Sequence, residues 1–303
     1  MNVSILSVRS GWHTDELLRA LAERGHVGVV VPYEGLVARL GGPKGPPLQT
    51  EGIPLFEADA VLARIIPSGS LEQVIYRVDA LHWLEERGVP VINSPRAIER
   101  AVDKFYTSAL LQEAGLPTVD TVVCERAAEA MAAVREFGDV VIKPIFGSMG
   151  HGIVRVSDPD VAFRVVKTLE SMRTVFYVQR AVDHGGRDYR LFVIGGRVLA
   201  AIERRAAEGD WRSNVARGAT AAAFEAPAEW QAMALRAAAA IGADYAGVDL
   251  LPAPDGRVYV LEVNGIPGWE GLQRATGVDV AGAIVDHMVS RVRAAARSAS
   301  KPI

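Results

Sequence analysis

Cysteine is nearly absent. Cys124 is the only one in 303 residues, so an intrachain disulfide and a cysteine-based metal site are both excluded, and a reducing compartment is expected. Long apolar runs are missing too: no uncharged hydrophobic stretch approaches the ~18 residues needed to span a bilayer. The opening MNVSILSVRSGWH has neither the basic nor the apolar region of a secretory signal, which makes a cytoplasmic protein without membrane contact the expectation. Charge of one sign is not in excess. A net charge of −3 gives no general attraction for nucleic acid, so any anionic ligand has to be held by local clusters. After the first apolar run, the connection from Ser7 to His13 contains no G-x-G-x-x-G, which removes the main support for a dinucleotide site. The six histidines include no pair at ligand spacing, and zinc is not expected.

With 50% hydrophobic and 23% charged residues, the chain is an ordinary globular one, long enough for two or three compact units. Val3 to Val8, Thr14 to Arg24 and Val27 to Val31 read as strand, helix, strand. Ala60 to Ile65, Leu71 to Arg87 and Val89 to Ile92 repeat the pattern, so a small doubly wound α/β unit is expected to end near residue 95. Asp103 caps a helix from Lys104 to Ala114. The remainder mixes strands with helices at Ala127 to Phe137, Pro159 to Met172, Pro227 to Ile241 and Val280 to Ala296, an α+β pattern.

The densest chemistry lies between Tyr245 and Glu270. Val248 to Leu251 and Arg257 to Val263 are β-forming runs, and Pro254-Asp255-Gly256 between them is a turn sequence. A hairpin symmetric about the Asp255–Gly256 bond sets Asp249 opposite Glu262, side by side on one face, and Asn264 follows on that same face. Arg257 is the sole cation in either strand, so two opposed carboxylates and an amide suit a hard divalent cation such as Mg²⁺. A solvated Asp and Glu on an exposed hairpin is the alternative, and a one-residue slip of register breaks the argument.

Two further groups point to an anionic ligand. The strand Val140 to Lys143 empties into Gly147-Ser148-Met149-Gly150-His151-Gly152, where glycines let backbone N–H groups approach phosphate oxygens and Lys143 supplies a cation. The order is not that of a P-loop, and taken alone three glycines in six residues are more often a flexible turn. Arg187-Asp188-Tyr189-Arg190, Glu203-Arg204-Arg205 and Asp210 to Arg217 concentrate guanidinium forks suited to carboxylate or phosphate, although an ion-paired surface has the same composition. Ser148 and Ser213 have no base partner in sequence, so nucleophilic catalysis is not expected.

Taken together, DKFYTSALLQEAGLPT, VVIKPIFGSMGHGI, RDYRLFVIGGRVLAAIERRAAEGDWRSNVARG, YAGVDLL and LEVNGIPGWEGLQRATGVDVAGAI resemble the ATP-grasp superfamily, and within it the RimK-type α-L-glutamate ligases. The resemblance runs from about Asp103 to Ile284. It implies an ATP-grasp fold, α/β and α+β, preceded by a small Rossmann-like N-terminal domain. The implied divisions are 1–95 for that domain and 96–296 for the ATP-grasp domain, with a lid subdomain at about 117–180 and a C-terminal metal-binding subdomain at about 181–296.

By position, the resemblance implies that Lys143 and Lys104 hold ATP phosphates. Gln179, Arg180 and Ala181 would form the hinge whose backbone receives adenine. Asp188, Arg212, Ser213 and Asn214 would line the nucleotide site, with Arg212 and Lys143 catalytic, and Asp249, Glu262 and Asn264 would ligate Mg²⁺ or Mn²⁺. Gln179-Arg180-Ala181 departs from the usual Gln-Glu-Tyr-like run, and Ile266 and Trp269 depart from the Asn-x-Ser-Pro-Gly form.

The activity implied is transfer of the γ-phosphoryl group to an acceptor carboxylate, followed by attack of the L-glutamate amine on the acyl phosphate. A small cofactor such as a pterin or deazaflavin is the preferred acceptor, because Pro267-Gly268-Trp269 offers a flat apolar surface. A protein C-terminus and a non-catalytic nucleotide-binding regulator are the alternatives. Relatives are often dimers or tetramers, so a homo-oligomer is expected.

Overall fold

The computed structural model describes residues 1–8, 10–42, 45, 47–147, 152–207 and 220–299. Its first part alternates strands and helices: β1 (Asn2–Ser7), α1 (Trp12–Glu23) and β2 (Val27–Pro32), then a small antiparallel sheet of β3 (Leu36–Ala38), β4 (Leu48–Thr50) and β5 (Ile53–Pro54), then β6 (Ala60–Ala63), α2 (Leu71–Glu86) and β7 (Val91–Ile92). The four longer-range strands pair in parallel in the order β2-β1-β6-β7. Val3, Ile5 and Leu6 of β1 and all of β6 are buried, as strands covered on both faces must be. The small three-stranded sheet has no counterpart in the sequence reading.

At residue 95, where the first unit is expected to end, the chain forms α3 (Pro95–Val102), started by Ser94, whose hydroxyl accepts from the Ala97 N–H, with proline at the first helical position. Asp103 then caps α4 (Lys104–Glu113) as expected, accepting from the Tyr106 N–H. A second, antiparallel sheet follows from β8 (Thr121–Cys124), α5 (Ala127–Phe137), β9 (Val140–Lys143), β10 (Val154–Val156), α6 (Pro159–Ser171) and β11 (Phe176–Arg180), ordered β10-β9-β11-β8. Val140, Ile142, Phe176 and Val178 pack beneath α5 and α6. Alternation leaves Lys143, Tyr177 and Gln179 on the opposite face.

The third sheet is built from β12 (Arg187–Ile194), β13 (Arg197–Arg205), β14 (Thr220–Ala223), β15 (Tyr245–Pro252) and β16 (Val258–Asn264), in the order β14-β13-β12-β15-β16, with α7 (Ala228–Ile241) crossing before β15. Gly195 and Gly196 turn β12 into β13 with φ of 54° and 78°, the positive pair that a two-residue hairpin turn requires. Leu191, Val193, Val248 and Leu250 pack against α7. On the other face Phe192, Ile194 and Tyr245 join α8 (Glu270–Thr276) and α9 (Val280–Ala299) in one core with Leu17 of α1 and with Leu62 and Ile92 of the first sheet.

Asn93, fully buried, fastens that junction. Its amide nitrogen donates to the Tyr245 carbonyl at 2.8 Å and the Gly265 carbonyl at 2.5 Å, and its oxygen accepts from the N–H groups of Asp244 and Tyr245. Among the described residues no helix is long and apolar enough to cross a membrane.

Candidate active site

The register of β15 and β16 sets Asp249 directly opposite Glu262 and Gly247 opposite Asn264, so all three expected oxygen ligands lie on the face away from α7. The route differs from the symmetric hairpin assumed above. Near the turn Leu250 pairs with Val260 and Leu251 with Tyr259, one residue out of that symmetry, and a bulge at Leu261 restores it at the site.

Cations reach this face from β12 and β13 rather than from the hairpin. Arg190 lies opposite Asp249 and grips it with both arms, Nε to Oδ1 and Nη2 to Oδ2 at 2.7 Å each. Arg204 lies opposite Asp188 and holds it at 2.5 and 2.7 Å, while its Nη2 also reaches Asp249 Oδ2 at 2.9 Å. Asp188, Arg204, Asp249 and Arg190 thus form a chain of alternating sign, nearly sealed from water at Asp188, Arg204 and Asp249. With its amide oriented to satisfy both neighbours, Asn264 accepts from Arg190 Nη2 and donates to Glu262 Oε1, each at 3.1 Å. Burial alone would raise the Asp249 pKa; the two guanidiniums outweigh it and hold the carboxyl below its usual range. Arg190 and Arg204 were visible in the sequence only as members of an arginine-rich run. The pairing of Arg204 with Asp188 depends on a second bulge, between Phe192 and Val193, that a symmetric Gly195–Gly196 hairpin does not foretell, and that of Arg190 with Asp249 on the return of β15 beside β12.

Facing these groups is the wall made by the second sheet and α4. Lys143, Lys104 and Glu262 line one cleft, together with Thr107, Ser108 and Tyr177. Lys143 Nζ donates to Gln179 Oε1 at 2.6 Å, and Gln179 is fixed in turn by donating to the Thr121 hydroxyl at 3.0 Å. Burial pushes the Lys143 ammonium down to about 8; Glu262 opposes that shift and Lys104 adds to it. Lys104 is likewise lowered by burial, and its Nζ donates to the carbonyls of Ile145 and Gly147 at 3.3 and 2.8 Å. It is therefore more than a first-turn helix residue: it ties α4 to the start of the glycine loop.

At the expected hinge the backbone amides of Arg180 and Ala181 are in use within the protein. The Arg180 N–H donates to the Asp120 carbonyl and the Ala181 N–H to the Asp139 carbonyl, 2.9 and 2.8 Å, so both amides are already engaged. The Arg180 side chain turns outward onto Asp120 and over the Phe137 ring. Arg212, Ser213 and Asn214 lie outside the described residues, as do Ser148 to His151 of the glycine loop. Trp269 corrects the sequence reading. Rather than a flat exposed surface it is fully buried in the core that joins the first and third sheets, edge-on to His13 and beneath Arg64, so the preference for a small acceptor loses that support.

A divalent cation fits the donor set on chemical grounds: oxygens from two carboxylates and an amide on one face, with Glu262 in no ion pair among the described residues and the second lone pair of Asp249 Oδ1 uncommitted. The set is not a carboxylate–imidazole cluster, and among the described residues no three His, Cys, Asp or Glu gather at a metal-binding distance.

A lysine-bearing antiparallel sheet closing over an acidic one defines the class, an ATP-grasp ligase. A model of the RimK-like ATP-grasp domain matches residues 101–288, and one of the RimK pre-ATP-grasp domain matches 1–98. The chain belongs to the RimK-like ATP-grasp family. It is 33% identical to a tetrahydromethanopterin:α-L-glutamate ligase of Methanosarcina acetivorans over 91% of this chain and 95% of the relative. It is 36% identical to a probable α-L-glutamate ligase of Xanthomonas euvesicatoria over 98% and 100%. Among solved structures it resembles the ATP-grasp ligase PsnB complexed with a precursor variant, Mg and ADP, with a TM-score of 0.77, 23% identity and coverage of 96% and 98%, which speaks to the fold.

Proposed function

We propose that the protein is an ATP-dependent α-L-glutamate ligase that extends the carboxylate of a small cofactor, with a pterin as the first candidate acceptor. The observation that carries the reading is the convergence of Asp249, Glu262 and Asn264 on one sheet face, across a cleft from Lys143 and Lys104. The pterin follows from the relatives named tetrahydromethanopterin:α-L-glutamate ligase, which match this chain over most of its length.

In this account Lys143 and Lys104 bind the phosphates of ATP and neutralise charge as the γ-phosphoryl group passes to an oxygen of the acceptor carboxylate, releasing ADP. The amine of glutamate then attacks the acyl carbon; the C–O bond to phosphate breaks, phosphate leaves with the electron pair, and the nitrogen gives up a proton. No side-chain nucleophile is needed, because positioning and charge neutralisation supply the catalysis. Asp249, Glu262 and Asn264 would hold Mg²⁺ or Mn²⁺, whose charge when bound neutralises the phosphate oxygens. Arg212, Ser213 and Asn214 are assigned to the phosphoryl group by resemblance. Asp188, committed to Arg204, would act by fixing that arginine against Asp249. With their amides engaged, Arg180 and Ala181 would meet adenine through carbonyl oxygens.

The test is ADP release with L-glutamate and tetrahydropterin, deazaflavin and peptide acceptors in parallel, with products read by mass spectrometry. A pterin product heavier by one glutamyl residue supports the proposal. Nucleotide binding without turnover on any acceptor contradicts it, and glutamylation confined to a peptide C-terminus replaces the acceptor.

A further inference from the structure

Arg64 is a buried cation whose described partners are all neutral. It is 4% exposed and follows the last residue of β6. Nη1 donates to the Tyr245 hydroxyl and Nη2 to the Pro267 carbonyl, both at a long 3.3 Å, and the guanidinium lies 4.5 Å from the centre of the Trp269 ring. A guanidinium carries five N–H donors, so most of its capacity is unspent. Burying such a charge is costly unless a counter-charge meets it.

The comparison within the molecule sharpens this. Arg190 and Arg204 each hold a carboxylate. Arg77, buried with no carboxylate partner among the described residues, spends Nη1 on the Pro67 carbonyl at 2.8 Å and so fixes the loop leading away from Arg64. A second donor stands idle beside Arg64: the indole Nε1–H of fully buried Trp269 has no acceptor among the described residues. His13, edge-on to Trp269, uses Nε2 to accept the Trp269 backbone N–H and so contributes no anion.

Position adds an independent argument. β1 pairs with β2 on one side and with β6 on the other, so the carboxyl ends of β1 and β6 flank the point where strand order reverses, the crevice in which open parallel sheets take ligands. Arg64 stands in that crevice. It is also one residue from the acidic face: Pro267, whose carbonyl it holds, lies against Gly247, and a Cβ built on Gly247 would be 3.0 Å from Pro267 Cβ and 3.4 Å from Arg190 Nε. Arg190 in turn grips Asp249.

Resting on the ligase reading above, we propose that Arg64 binds a carboxylate of the amino-acid substrate that takes no part in the reaction, holding the molecule so that its amine faces Asp249 and Glu262. Lys104 and Lys143 line the opposite wall and are the groups the ligase reading gives to phosphate, so the reacting carboxylate of the acceptor lies there, while Arg64, across Pro267 from Gly247, is left for a second carboxylate. A dicarboxylic amino acid carries a carboxylate free to take that place. The guanidinium fork suits bidentate capture of a carboxylate, which a lysine ammonium does not reproduce.

The experiment varies L-glutamate and its two monoamides with wild type, Arg64→Lys and Arg64→Met, at saturating ATP and acceptor. In Arg64→Met the KM for glutamate is expected to rise at least about tenfold, the loss of one charge-assisted bond, with KM for ATP moved far less. Arg64→Lys should fall between. One monoamide should be a poor substrate for wild type, and its disadvantage relative to glutamate should shrink in Arg64→Met. Unchanged KM for glutamate, or a rise confined to KM for the acceptor, overturns the assignment. Thermal shift by L-glutamate in the presence of Mg-ADP reads the same site without turnover. A shift in wild type that persists undiminished in Arg64→Lys and Arg64→Met, or no shift in wild type, overturns it as well, whereas a shift that depends on Arg64 in an enzyme that turns over no acceptor sinks the ligase reading and leaves the carboxylate site standing.

Discussion

Arg190 and Asp249 meet across β12 and β15 with two contacts of 2.7 Å. The pair makes it possible for an acidic residue of the candidate metal set to stay ionised while buried, and through Arg190 the same pair reaches Asn264.

Arg204 carries the other half of that compensation. Replacing it with methionine leaves Asp188 and Asp249 close together and short of one counter-charge, and breaking a buried pair from one side costs about 3–5 kcal/mol. Urea denaturation should show a loss of that order for Arg204→Met. Adding Asp188→Asn should restore part of it, since the two residues share one network; strict additivity would mean that they do not interact.

Gly247 leaves space for Arg190. An added methyl would press on Pro267 and on Arg190 Nε at 3.0 and 3.4 Å. For Gly247→Ala, overpacking is expected to cost about 1–3 kcal/mol, with kcat/KM falling by roughly tenfold or more because Arg190 is displaced from Asp249. Full activity in a stably folded Gly247→Ala enzyme would show that the placement of Arg190 is unimportant.

Lys143 titrates at about 8 in the free protein. A phosphate placed beside it favours the charged form, so ATP binding should take up a proton, most clearly from pH 8 upward. Calorimetry in buffers of different ionisation heat measures the uptake, and Lys143→Arg should abolish it. Equal heats in all buffers for the wild type would separate Lys143 from the phosphates.

His13 titrates at about 4, lowered from 6.5 by burial first and by the Arg64 charge second. With the folded value below the unfolded one, the unfolded chain binds the extra proton, so the neutral ring contributes stability that is fully present above pH 6.5 and is lost as pH falls from 6.5 toward 4. His13→Gln should flatten that acid limb of a stability-against-pH curve. An unchanged limb would place the acid sensitivity elsewhere.

Much of this was legible in the chain. The parallel opening unit, the capped α4, the strand carrying Lys143 and the Asp249–Glu262 pairing follow from periodicity, caps and turn residues. That pairing was reached with the turn centre slightly misplaced, and the bulge at Leu261 makes up the difference. What escaped depends on contacts far apart in sequence. Arg190 meets Asp249 only because α7 carries the chain back beside β12, and Arg204 meets Asp188 only because a bulge shifts the Gly195–Gly196 hairpin by one residue. Trp269 read as a surface from its neighbours Pro267 and Gly268, yet α1 and the end of β6 bury it, since His13 and Arg64 arrive from the other end of the chain.

The central claim is that Asp249, Glu262 and Asn264 hold the cation of a metal–nucleotide, and its most direct test is a Mg²⁺ titration of ADP release by wild type and Glu262→Gln at fixed ATP. The account expects the half-saturating Mg²⁺ concentration to rise at least about tenfold in Glu262→Gln, with the urea midpoint nearly unchanged. Superimposable titrations for the two proteins would contradict it.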